Sequence, residues 1–318
     1  MKLINICFLA VVLWAMSGCS GCSRSGDDST ADSAALREKA PKEDVLVGTL
    51  HVAVDESVLP IVREQEEVFL SAYPNSKLNV IAKPEVLAIR ELVSGNASVV
   101  ILSRDLNEAE NDYFKKRSIT PRKFPIWTDA IVVVNNSNSP DTSLTVDYLI
   151  NAMKGNSKDG KKLVFDNLNS STLRHLQELG KLERVASNFV EAEAGSEKVL
   201  EAVAADENKI GILGYNVYSE LIASFQNKNN IRILSLQNTI GEAADGLYYR
   251  PNQSTIAAEQ YPLRRMFYVL NYQPNLGLGI GFSAFLTGDR GQRIVLKSGL
   301  VPATMPARNI IIRDEIKL

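Results

Sequence analysis

The chain is short of the residues that carry covalent and metal chemistry. Its three cysteines are Cys7, Cys19 and Cys22, and none follows Cys22 in 318 residues. No disulfide can lie within the downstream region, and no thiolate nucleophile is available there. Histidine occurs only as His51 and His175, which argues against a zinc centre built from His and Cys ligands. No other metal or cofactor motif is present. Charge of either sign is not in excess: 35 basic side chains stand against 37 acidic ones, a net charge of -2. Nucleic-acid binding needs basic surface to neutralise phosphates, so no nucleic-acid partner is expected. No P-loop occurs, so ATP hydrolysis would belong to another subunit. His51, Asp55 and Ser57 are hydrolase residue types, but His51 lies in a strand pattern and no G-x-S-x-G elbow surrounds Ser57. The catalytic set is therefore empty, and the protein is not expected to be an enzyme.

What is present begins with an N-terminal address. Lys2 is followed by an apolar run from Ile4 to Trp14, too short for a comfortable membrane span. Small residues then precede a cysteine, Met16-Ser17-Gly18-Cys19. This is a secretory signal, and its end resembles a bacterial lipobox. Residues 1–18 are read as the signal peptide and Cys19 as the lipidated residue, with Cys22 a weaker alternative. Residues 19–45 are rich in Ser, Asp, Ala and Lys and cannot bury a core. They are read as a lipid anchor and flexible tether. Acyl chains on one cysteine would hold the protein to a membrane. The expected location is the cell envelope, facing the periplasm, with inner and outer membrane both open.

The remainder has ordinary globular composition, 45% hydrophobic, and length for about two domains. The segment 46–54 patterns as a strand. Asp55-Glu56-Ser57 and Pro60 signal a helix start. Strands at 78–82 and 99–102 and helices at 86–92 and 107–116 follow, then a long strand at 124–135. That alternation gives an α/β unit with a largely parallel sheet, in which ligands bind at the C-terminal strand edge. Ser57 and Arg104 fall at that edge. A second α/β unit follows. It has helices at 144–153, 171–182, 197–205 and 217–225, and strands at 161–165, 189–191, 210–215 and 231–236. A strand at 266–272 and helices at 281–286 and 291–297 close the chain.

The second unit contains Asp166-Asn167-Leu168-Asn169-Ser170-Ser171-Thr172-Leu173-Arg174. It runs from a strand end through a small-polar turn into a helix with Leu173, Leu176 and Leu179 on its apolar face. The first N–H groups of a helix lack backbone partners and lie at the positive end of its dipole. Ser170, Ser171 and Thr172 add hydroxyl donors, so the stretch is a candidate oxyanion site. A plain N-cap is the alternative for the same residues.

In order along the chain, GTLHVAVDES (48–57), IVVVN (131–135), FDNLNSST (165–172), IGILGYNVYSE (210–220), AEQYPLRRMFYVL (258–270) and GDRGQRIVLKSGLVPATMP (288–306) resemble the phosphate-binding proteins of bacterial phosphate ABC transporters, in the lipoprotein form common in Bacteroidetes. The resemblance implies a two-lobed type II periplasmic binding protein fold with a hinge of two crossovers. Lobe one would be residues 46–131 plus 258–318 and lobe two 132–257. The crossovers would lie at Ile131 and at Tyr261-Pro262-Leu263, and closure would trap the ligand between the lobes.

Carried over by motif, the first anion loop falls at Glu56-Ser57-Val58. The family's Ser-Gly-Thr loop falls at Ser170-Ser171-Thr172, with Asn169 beside it. A second lobe-one loop falls near Lys83-Pro84-Glu85, where the match is poor. An Arg usually precedes the Ser-Gly-Thr loop, and Asp166 stands there; where the family has a proton-accepting Asp, Arg104 stands. A charge exchange would make Arg104 the cation and Asp166 the acceptor of a phosphate proton, with Arg174 a second candidate cation. The alternative leaves Asp166 a turn residue and Arg104 a surface charge. The implied partners are inorganic phosphate or a similar oxyanion and the subunits of an ABC permease, and the protein is expected to be a monomer. Binding of sulfate or molybdate, or an envelope scaffold or sensor with a degenerate site, are the alternatives.

Overall fold

The computed structural model describes residues 44–157 and 159–305. The signal peptide, Cys19 and all but the end of the tether lie outside the described residues. The first strand, β1 (Gly48–Asp55), alternates: Leu50, Val52 and Val54 face one core and Ala53 another. It sits between β2 (Ser76–Lys83) and β3 (Val99–Leu102), parallel to both. β3 is buried on both faces, which explains its unbroken apolar sequence. Three helices connect these strands and the next: α1 (Leu59–Ala72), α2 (Glu85–Val93) and α3 (Glu108–Lys115). Asn107 and Glu110 form a reciprocal capping box at the start of α3.

β4 (Arg122–Asn136) is the element shared by the whole sheet. It is 15 residues long and buried continuously from Ile126 onward. After it come β5 (Ser143–Leu144), α4 (Val146–Met153), β6 (Lys162–Phe165), α5 (Ser171–Gly180), β7 (Val190–Ala192), α6 (Ser196–Ala205), β8 (Lys209–Gly214) and α7 (Tyr215–Ser224). β9 (Ile231–Ile233), β10 (Ser235–Gln237), β11 (Tyr248–Tyr249), α8 (Gln253–Ala257) and β12 (Arg264–Asn271) follow. α9 (Leu278–Thr287), α10 (Asp289–Lys297) and β13 (Val301–Pro302) end the described chain.

The main sheet runs β2-β1-β3-β12-β4-β8-β6-β7. It is parallel at each end, but β12 is antiparallel to both β3 and β4, and β4 is antiparallel to β8. The expectation of a largely parallel sheet is corrected on this point: the middle of the sheet is antiparallel. β4 and the returning β12 pass each other there, and neither belongs to the strand–helix–strand repeats on either side. Their register shifts between Phe267 and Tyr268, next to Pro125, which lacks the N–H a regular ladder needs.

Helices cover both faces of the sheet. Phe69 of α1 meets Phe282 and Phe285 of α9 edge-on, at centroid distances of 5.2 and 5.3 Å, beneath Leu50, Val52 and Val54. In the other half, α4 and α5 pack Leu149, Met153, Leu173 and Leu176 on β6 and β8. The two strand segments near Ile131 and Leu263 lie against each other. Ile131 N donates to Leu263 O (2.8 Å), and the buried Tyr261 hydroxyl donates to Ile131 O (2.8 Å).

The continuous strand expected at 231–236 is two strands in different sheets. β9 pairs with β4, whereas β10 pairs with β5 and β11. The short α8, capped by Asn252, is not legible from apolar periodicity because only Ile256 of its residues is buried.

Candidate functional site

Two strand ends deliver the site. β1 ends at Asp55, whose Oδ1 accepts from Ser57 N (3.0 Å) and so caps a 3-10 turn at Glu56–Val58. Pro60 then opens α1. Ser57 is buried with its hydroxyl on the site side, while Val58 goes into the core beneath β1. Asp55 Oδ2 is buried without a hydrogen-bond partner.

β6 ends at Phe165 and is followed by the fully buried Asp166. Asn167 Oδ1 accepts from Asn169 N (2.9 Å), which turns the chain toward α5. Ser170 is the N-cap of α5; its Oγ accepts from Leu173 N, donates to Asn167 O (2.8 Å) and lies 2.9 Å from Thr172 Oγ1. Thr172 and Ser196 donate to the two oxygens of Asp166, each at 3.3 Å. Both readings of this stretch therefore hold at once: Ser170 caps the helix, and Ser171 is left for another partner. Asn169 itself is exposed, and its carbonyl accepts from Val86 N of α2 (3.3 Å).

That partner is a residue absent from the sequence-based set. Arg265 of β12 donates from Nη1 to Ser171 Oγ (2.7 Å), and from Nη2 to Asp129 Oδ2 (2.8 Å) and Ser57 Oγ (3.4 Å). Arg265 and Asp129 are directly opposed in the β12–β4 register, and both side chains are fully buried. Asp129 Oδ1 also accepts from Asn216 N (3.1 Å), and Asn216 Oδ1 accepts from Ile61 N (3.1 Å). The guanidinium thus joins the α1 start, the α5 start and the central strand pair. Its Nε is buried with no partner.

Arg104 and Arg174 are placed elsewhere. Arg104 donates to Glu85 Oε1 (2.9 Å) and, with both terminal nitrogens, to Glu110 (2.8 and 3.0 Å). Arg174 donates to Glu85 (2.6 and 3.0 Å) and to Ser103 Oγ (2.8 Å). Both guanidiniums are therefore engaged by carboxylates, and the cation that touches Ser57 and Ser171 is Arg265. Among the described residues, no group of three or more His, Cys, Asp or Glu is arranged to hold a metal ion.

Electrostatically the site is acidic. Burial pushes the Asp55 and Asp166 carboxyls above the usual carboxylate range; Asp55 adds to the effect on Asp166, and Arg265 opposes it on both. Glu56, half-buried, is pushed up to about 7 by burial and by Asp166 and Asp55, with Lys83 opposing. His175, one turn into α5, is held down to about 3 by burial and then by Arg265 and Arg174. It is neutral at ordinary pH and adds no positive charge.

Gly214 marks how closely the parts meet. A Cβ there would stand 2.8 Å from Ser57 O, 2.9 Å from Ser57 Cβ and 3.2 Å from Arg265 Nη2. Gly214→Ala is expected to displace the 3-10 turn and lower unfolding stability by about 1–3 kcal/mol, an overpacking cost. Chemical denaturation checks it, and a change below about 0.5 kcal/mol would mean that the turn yields freely.

Two α/β halves on a shared long strand, with helix starts gathered where they meet, make this a type II periplasmic binding protein fold. Residues 39–290 match the PBP superfamily domain, and the chain belongs to that family. It is 24% identical over 270 residues to the phosphate-binding protein PstS of Pseudomonas aeruginosa, covering 76% of this chain and 78% of that one. A structure described as a phosphate ABC transporter substrate-binding protein with bound phosphate, from Clostridium perfringens, superposes with a TM-score of 0.65 at 18% identity, covering 81% of this chain and all of that one. An ABC-type phosphate transport receptor from Vibrio cholerae gives 0.61 at 19% identity, over 80% of this chain and 100% of that one.

Proposed function

We propose that the protein captures inorganic phosphate between its two halves and delivers it to an ABC permease, from a lipid anchor at Cys19 in the cell envelope. One observation carries the reading: a single buried guanidinium, Arg265, reaches hydroxyls at two helix starts, Ser57 and Ser171. Hydroxyls, helix N-termini and a fixed guanidinium are the donors an oxyanion needs when it leaves water. The lobes are residues 46–131 plus 258–318 and 132–257, hinged near Ile131 and Leu263, and binding is capture without covalent chemistry. Phosphate is preferred to sulfate on chemical grounds, because Asp166 can accept a hydrogen bond only from an anion that carries a proton. The names of the relatives point to the same ligand.

Calorimetric titration of the mature protein with phosphate, sulfate and molybdate tests this. Phosphate alone is expected to give saturable heat. Sulfate bound more tightly than phosphate would remove the acceptor role of Asp166. No heat with any of the three would replace the transport reading by an envelope scaffold or sensor.

A further inference from the structure

We infer that the site takes its oxyanion together with protons, and that Asp55 is a second proton-sharing residue facing Asp166. The inference rests on the phosphate reading and concerns how many protons the bound state holds. Asp55, Asp129 and Asp166 are three buried carboxylates gathered about one buried guanidinium. The guanidinium has an ion pair with only one of them, Asp129. The hydroxyls of Thr172 and Ser196 reach Asp166, but Asp55 keeps a buried oxygen, Oδ2, without a partner. An oxygen in that state calls for a donor, and the donor a phosphate can offer is one of its own hydroxyls.

The surroundings of these two carboxylates offer little further positive charge. From α2, Glu85 faces Asp55 and adds like charge; from the 3-10 turn, Glu56 faces both Asp55 and Asp166. Lys83 lies beside Glu56 at the end of β2. From α5, His175 is neutral, and Arg174 is engaged by Glu85 and Glu178. Arg265 from β12 is the guanidinium acting on both. Adding a doubly charged anion to this group would place further like charge in a buried space, which is strongly unfavourable unless protons accompany it. The protons belong to the cluster of Asp55, Asp166 and phosphate oxygens as a unit rather than to any one of them.

The sign follows from linkage. A bound state that holds more protons than the separated partners is favoured as pH falls. Inorganic phosphate itself loses a proton through the neutral range, so a site that selected the doubly charged form would show the opposite slope. The test uses the wild-type protein and inorganic phosphate, with titrations from about pH 6 to about pH 8 in two buffers of different ionisation enthalpy. Affinity is expected to fall by up to about tenfold per pH unit on the alkaline side, one proton per tenfold. The two buffers should give different heats, reporting net proton uptake. In Asp55→Asn, and separately in Asp166→Asn, the slope should flatten, because each removes a charge that the protons offset.

Phosphate binding with a pH-independent affinity and equal heats in both buffers would overturn the inference and leave the phosphate reading standing. Affinity that rises with pH would do the same. Absence of phosphate binding at every pH would instead overturn the phosphate reading. Because the wild-type slope is decisive, misfolding of either variant leaves the test intact.

Discussion

Arg265→Met is expected to remove phosphate binding, with affinity lowered by at least about a hundredfold, on the usual cost of truncating one partner of a buried hydrogen-bonded charge pair. Two consequences of the substitution have to be separated. Arg265 donates to Ser171 and lies within reach of Ser57, so its loss takes the central donor from the ligand. It is also the ion-pair partner of Asp129, and both are fully buried. Stranding Asp129 is expected to cost about 3–5 kcal/mol of unfolding free energy. The double variant Asp129→Leu, Arg265→Met resolves the two. It leaves no uncompensated charge at the β4–β12 pair, and stability should return to near wild type, since apolar replacement of a whole buried pair is often neutral or better. Binding should stay lost. Arg265→Lys sharpens the point, because one ammonium cannot reproduce a planar fork aimed at Ser57, Ser171 and Asp129. Calorimetric titration and urea unfolding of the three variants give the answer. Phosphate binding retained in the double variant would show that the guanidinium is structural and that the site lies elsewhere.

The contrast between Arg265 and Arg104 shows what the sequence makes legible. Ser57 and Ser170–Thr172 were found because small polar residues between an apolar run and a helical period mark a strand end and a helix start. That is where backbone N–H groups lack partners. Arg104 stood at such a strand end as well, but its destination depended on Glu85 and Glu110, and no periodicity shows that Glu110 closes a capping box from which it reaches back to Arg104. Arg265 sits inside a strand, where a charge is usually turned to solvent. Its signal was the alternation of Arg265, Phe267 and Val269, all buried, along β12. A lone acid, Asp129, within the apolar run of β4 was the matching signal. Reading these two irregularities as a pair requires the antiparallel register of β4 and β12, and a chain read as successive parallel units does not supply it. Asp55 shows a related limit. Its cap role at a helix start was legible, whereas its complete burial depends on Asp166 and Arg265 arriving from distant segments. The α/β pattern, the helix starts and most element positions came from local chemistry; the antiparallel centre and the cation came from long-range pairing.

Glu85→Ala is expected to have the second large effect, on the coupling between the two halves rather than on the ligand. Glu85 opens α2 with its side chain completely buried. It accepts from Arg104 of its own half and, through both carboxylate oxygens, from Arg174 of α5 in the other half. Arg174 also donates to Ser103, and Val86 N donates to Asn169 O close by. The carboxylate therefore sits between two guanidiniums at a seam that opening the halves would break. Removing it leaves Arg104 with Glu110 and Arg174 with the exposed Glu178, so the loss is partly offset. A destabilisation of about 2–4 kcal/mol is expected, toward the lower end for breaking a buried pair. Phosphate should dissociate about tenfold faster or more, as expected when an interaction made only in the closed state is lost and the change falls mainly on the off-rate. Glu85→Gln should lie between, since the amide oxygen still accepts one bond. The deciding measurement is a double-mutant cycle of Glu85→Ala with Arg174→Ala, read by unfolding and by stopped-flow dissociation. A coupling energy of about 1–3 kcal/mol is expected for groups in direct contact. Strict additivity of the two substitutions would mean that the seam contributes nothing to closure, and the force holding the halves together would then rest on Arg265 and the ligand alone.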